Sequence, residues 1–167
     1  LFLKPSEITG DLTKCESYLS PAGWATFVNH IHLVFDDLVK LRDSTALNKN
    51  IPIFLHTYHF PTIRDAGEPL FGPWLYKAAQ SFDIPEAIWP TLGRKLFNQF
   101  GELLDSIALL HNNLHVYDSA NLVTNITPAQ PRKSGESGDW INEIHLTKAG
   151  YKKLSLEWSK DIQFILP

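Results

Sequence analysis

The sequence predicts an α/β domain: a parallel sheet with helices on both faces, from which strands N-terminal to those read here are missing. Three observations lead there. Two short, largely apolar runs, Ile51-Pro52-Ile53-Phe54-Leu55 and Leu114-His115-Val116-Tyr117-Asp118, are bounded by turn formers, as strands covered on both sides are. Helical patterns lie before, between and after them, and strands alternating with helices imply crossovers within a parallel sheet. Two strands alone leave apolar faces and edges without neighbours, and the 167 residues include no Met and open on Leu. The expectation is a single α/β domain over 1–167 that is a processed, trimmed or partial chain.

The elements follow in order. The first twenty residues, LFLKPSEITGDLTKCESYLS, have weak periodicity and read as a connecting segment with a short helix. Trp24, Phe27, Val28, Ile31, Val34, Phe35 and Leu38 then recur at three- and four-residue spacing, one apolar stripe of a helix over 21–42. Ser20 suits its N-cap and Pro21 its first position. The strand over 51–55 carries Pro52 near its start, where a missing N–H is tolerated. From His56 to Pro73 the chain is polar, aromatic and rich in Pro and Gly, and a loop of eighteen residues inside a compact domain is usually functional. A short helix is expected over 73–82. A longer one runs from Pro90 to about Asn112, with Leu92, Leu96, Phe100, Leu103, Leu104 and Ile107 on one face. The second strand occupies 114–118, Asn121 to Gly138 is loop, and Thr147 caps a last helix carrying Tyr151, Leu154, Trp158 and Ile162.

Composition removes several classes. Hydrophobic residues are 44% and charged residues 20%, enough apolar material for a core and against wholesale disorder. A formal net charge of −3 gives no electrostatic footprint for nucleic acid or an anionic membrane surface. Cys15 is the single cysteine, so it makes no internal disulfide and holds no zinc alone. No apolar run approaches the ~20 residues of a membrane helix. His30 and His32 stand two apart and face different ways on a helix. His56 and His59 lack an evident third ligand. No metal site and no cofactor are expected. Asn125-Ile126-Thr127 matches the glycosylation sequon, a pattern common by chance.

In open parallel sheets, ligands sit beyond the carboxyl ends of the strands. That selects the loop after Leu55, with His56, Tyr58, His59, Phe60 and Arg64, the loop beginning at Asp118, and the segment Asp139 to His145. His145 stands out. It lies just before a helix start, with acidic and amide residues a few positions upstream, and a general base needs a partner that fixes its tautomer. The plainer reading is a histidine that helps cap the helix.

The wording around it carries a resemblance. Trp140-Ile141-Asn142-Glu143-Ile144-His145-Leu146-Thr147-Lys148-Ala149-Gly150-Tyr151 resembles the final block of SGNH (GDSL-type) hydrolases, which often reads W-x-N-E-I-H-P-T-x-A-G-F. His56-Thr57-Tyr58-His59-Phe60-Pro61 is similar to the H-G-Y-D-Y-P of a bacterial branch, and Gly72-Pro73-Trp74-Leu75 to its G-P-W-L. Together these cover roughly residues 50–160. The resemblance implies a flavodoxin-like parallel sheet and a serine hydrolase of esterase or lipase type, acting on a small ester substrate. His145 is then the catalytic base, and Tyr58, His59, Phe60 and Trp74 are substrate-binding residues.

Departures from the family pattern matter as much. Leu146 replaces the proline after the histidine. The superfamily's aspartate three positions before the histidine is here Asn142, which can accept a hydrogen bond from imidazole but brings no charge. Asp139, six positions before, is the other candidate to orient His145, through a bent loop; a Ser–His dyad would need neither. The G-D-S nucleophile block and the oxyanion donors are not found. Gly135-Glu136-Ser137-Gly138-Asp139 is not the strand–turn–helix elbow of G-x-S-x-G. The expected partner is thus a complementary N-terminal segment of the same protein, without which the chain is inactive. The competing expectation is a non-catalytic α/β binding or interaction module that has lost the nucleophile. The sequence does not choose between a bacterial cytoplasm and periplasm.

Overall fold

A computed structural model describes residues 1–68 and 70–166 of the chain. Two 3-10 turns, Pro5–Glu7 and Cys15–Tyr18, precede helix α1, Pro21–Asp43. Then come β1, Ile53–His56; α2, Leu75–Ser81; a 3-10 turn, Glu86–Ile88; α3, Trp89–Ala108; β2, Leu114–Tyr117; α4, Ser119–Leu122; and α5, Lys148–Ile165. β1 and β2 pair in parallel, with Ile53 opposite Leu114 and His56 opposite Tyr117. The architecture is mixed α/β with a small parallel sheet.

Side-chain alternation along the strands divides the helices between the two faces. Ile53, Leu55, Leu114 and Val116 meet α1 through Phe27, Val28, Ile31 and Phe35, and α3 through Leu103 and Ile107. On the other face Phe54 stacks on His115, and His56 and Trp158 of α5 form a T-shaped pair at 4.8 Å. Tyr117 joins Trp140, Leu146 and Leu154 there. The N-terminal segment does more than connect: Cys15 and Tyr18 enter a further cluster with Ile63, Ala79, Ile88, Leu92 and Leu96.

Local chemistry sets the boundaries. Ser20 Oγ accepts the N–H of Gly23 at 3.0 Å and Pro21 occupies the first turn, so α1 starts where the sequence predicts. At its other end, the Arg42 guanidinium donates to Asn112 O and Ile51 O, tying the helix to the starts of both strands. The same guanidinium, helped by the Asn50 N–H, brings the Asp43 carboxyl down to about 2. The expected stripe of α1 is wider than the buried one: Val34 and Leu38 are exposed, as are Leu33 and Leu41. α3 ends four residues before the expected Asn112, because Leu109 and Leu110 turn outward and Asn113, at φ 57, bends the chain into β2. β1 begins after Pro52 rather than at Ile51, and the Ile53 N–H makes the first ladder bond, to Asn113 O at 2.8 Å. Among the described residues each strand keeps one edge with no strand beside it.

The turn at Gly138 admits only glycine. Its φ is +58, and an added Cβ would lie 2.4 Å from Pro128 O. Gly135 shares the positive φ but meets nothing within 4 Å. Gly135→Ala is therefore expected to cost about 1 kcal/mol of backbone strain, and Gly138→Ala about 3 kcal/mol or more. Urea unfolding of the two variants checks this; equal losses would contradict the packing argument.

Candidate active site

The segment from Gly138 to Thr147 is a folded loop held by its own backbone. Ile141 N–H donates to His145 O at 2.9 Å, and Thr147 N–H to Asp139 O at 2.7 Å. Thr147 Oγ1 accepts the N–H of Gly150 and starts α5. Leu146, standing where the family pattern has proline, is buried beneath α5 with Trp140 and Leu154.

Glu143 anchors this loop to the rest of the molecule. Its carboxylate has no exposure and accepts the backbone N–H groups of Trp74 (2.8 Å), Leu75 (2.7 Å), Tyr76 (2.7 Å) and Arg64 (3.3 Å). Three of these belong to the start of α2, whose unpaired N–H groups need acceptors. Burial pushes the Glu143 carboxyl up, and the four N–H donors oppose it. Arg64, 1% exposed, crosses between loops: it donates to Lys133 O, Gly135 O and Asn142 O. Sequence pattern alone marks neither Glu143 nor Arg64 as an anchor. The signal was present, a lone acid between Trp140-Ile141 and Ile144-Leu146, an apolar setting that demands a partner.

His145 is half-buried at the surface of this clamp. Its ring and that of Trp74 form a T-shaped pair, 5.7 Å between centroids. Asn142 is fully buried beside it, with Nδ2 3.0 Å from His145 Nδ1. The amide presents its nitrogen to the ring and not its oxygen. Asn142 Oδ1 is taken by the N–H groups of Ile144 and His145, at 3.0 and 2.8 Å. The expectation that Asn142 accepts a hydrogen bond from the imidazole is thus corrected: the backbone of its own turn has claimed the acceptor. Nδ2 also donates to Glu68 Oε1 at 2.5 Å.

Asp139 lies elsewhere. Its carboxylate accepts the Thr127 N–H and the Lys153 ammonium, both at 2.6 Å, and makes no hydrogen bond to His145 among the described residues. Burial alone would raise this carboxyl; Lys153 and the Thr127 N–H overcome that and hold it below the usual carboxylate range. The expected bent-loop approach to His145 fails because Lys153, one turn into α5, captures the acid first.

The remaining expected contacts have partners other than the His145 ring. Tyr58 packs on Phe97 and, with Ile144, lines a small cavity of about 70 Å³ under the loop. His59 donates through Nε2 to Val123 O and lies against Trp140; burial holds its imidazole below its ordinary value. Phe60 carries the Arg94 guanidinium 4.2 Å above its ring, on a groove of about 940 Å³ shared with Trp89 and Arg132. Of the four residues expected to bind substrate, only Trp74 touches His145.

Comparison with protein-family models, with curated proteins and with solved structures found no match.

Because the Asp139 carboxyl is lower in the folded chain than unfolded, its contribution is present above about pH 4 and disappears as pH falls through the folded value. Asp139→Asn should lower stability at pH 7 and flatten the loss of stability between about pH 5 and 3. Denaturant midpoints across that range test it; parallel curves for the two proteins would contradict the Asp139–Lys153 pairing.

Proposed function

We propose that this chain is the imidazole-bearing part of an SGNH-type serine hydrolase acting on carboxylic esters, of esterase or lipase type, with the nucleophilic serine and oxyanion donors supplied by a complementary N-terminal segment of the same protein. His145 takes the proton from the serine hydroxyl as its oxygen attacks the ester carbonyl, and gives that proton to the departing alkoxide. Water then releases the acid from the acyl-enzyme, with the same imidazole as base. Trp74 walls the reacting centre on one side. The observation that carries this reading is the convergence of two separated stretches of resemblance at one imidazole: Glu143 clasps the backbone of Trp74, Leu75 and Tyr76, and the Trp74 ring meets His145.

A second reading is favoured by a specific observation. Asn142 offers His145 a donor where a catalytic base wants an acceptor, which suits a non-catalytic α/β binding module that keeps the fold without the chemistry. In serine proteases the corresponding aspartate-to-asparagine change leaves geometry intact and lowers kcat by about 10⁴ through the wrong tautomer.

The two readings diverge in one assay. In the full-length gene product, hydrolysis of a short-chain nitrophenyl ester should fall about 10³-fold or more in His145→Ala and rise about tenfold or more in Asn142→Asp. Equal turnover in the parent and His145→Ala would end the hydrolase reading in favour of the module.

A further inference from the structure

The two nitrogens of His145 are treated differently by the protein, and the difference is set by a residue 77 positions away in the chain. Asn142 Oδ1 sits against two backbone donors, where an amide NH2 would face N–H groups with nothing to accept them. Asn142 Nδ2 sits against Glu68 Oε1, and a carboxylate only accepts. Three partners therefore agree on which way the buried amide points. One Nδ2 proton goes to Glu68, and the other is directed at His145 Nδ1. Nδ1 answers a donor with its lone pair. A neutral imidazole with its lone pair on Nδ1 carries its proton on Nε2, and Nε2 makes no hydrogen bond among the described residues.

We propose that Glu68 is a positioning residue which, through Asn142, holds His145 as the Nε2–H tautomer, so that the ring rests as a hydrogen-bond donor toward a carbonyl or carboxylate oxygen of a ligand. Glu68 is suited to this. It is exposed, and its backbone exchanges hydrogen bonds with that of Phe71, which steadies the carboxylate that accepts from the Asn142 amide. The tautomer is set in this way whether or not His145 takes part in hydrolysis. In a hydrolase it adds a step: the base form, with its lone pair on Nε2, is reached only when the Asn142 amide gives up its arrangement.

Long-range proton–nitrogen correlation spectra of the uniformly ¹⁵N-labelled protein at pH 8, with the His145 ring assigned by loss of its signals in His145→Gln, read the tautomer directly. The parent should show Nε2–H, and in Glu68→Ala the Nδ1–H fraction should rise about fivefold, the size of one net hydrogen bond. Asn142→Asp, which puts an acceptor beside Nδ1, should invert the tautomer to Nδ1–H. A parent ring protonated on Nδ1, or a Glu68→Ala spectrum identical to the parent's, would overturn the proposal. No reading of activity enters, so failure of the hydrolase assignment and failure of this one are separate results.

Discussion

A carboxylate taken out of water must find donors, and Glu143 finds four, all backbone N–H groups, three at the start of α2 and one at Arg64. The exchange serves both sides. An isolated helix of seven residues such as α2 is far below the length at which helices persist in water, and its first N–H groups lack partners within the helix. The acid supplies them, and the helix terminus supplies favourable potential to a charge that burial opposes. Removing either side leaves buried polar groups unpaired, at about 1–3 kcal/mol each.

Most of what surrounds His145 follows from that clasp. The residues bearing it are irregular backbone, yet they are held on three sides: by Glu143 to α2, by Arg64 to the Lys133–Gly135 turn, and by Thr147 to α5. A site on loops can be as well defined as one on helices when buried charge does the fixing. The Trp74–His145 contact is a consequence, since Trp74 is the first of the three α2 amides that Glu143 binds.

The fold was legible where the governing interactions are local. Ser20 and Pro21 announce α1, the three- and four-residue spacing from Leu92 to Ile107 announces α3, and Thr147 announces α5. Where partners are distant, local pattern overstates burial: Val34 and Leu38 belong to the apolar stripe of α1 but lie exposed, because no described element covers them. At the site, the position of His145 before α5 was legible and the orientation of its neighbour was not. Asn142 and Asp139 look interchangeable as partners for an imidazole. What separates them is Lys153, fourteen residues beyond Asp139, and Glu68, 74 residues before Asn142. Side chains brought together over such separations leave no periodicity to read. The aromatic loop after β1 shows the same limit, since Tyr58 packs on Phe97, His59 on Trp140 and Phe60 under Arg94, partners far away in the chain.

Amide hydrogen exchange at Trp74, Leu75 and Tyr76 in Glu143→Gln addresses the clasp itself. Glutamine keeps the shape but offers a single acceptor oxygen to donors that used two. Exchange at these three amides should be faster, by about tenfold or more, with exchange in α3 unchanged. Undiminished protection at all three would show that α2 stands without the buried acid, and the construction of the site around Glu143 would be wrong.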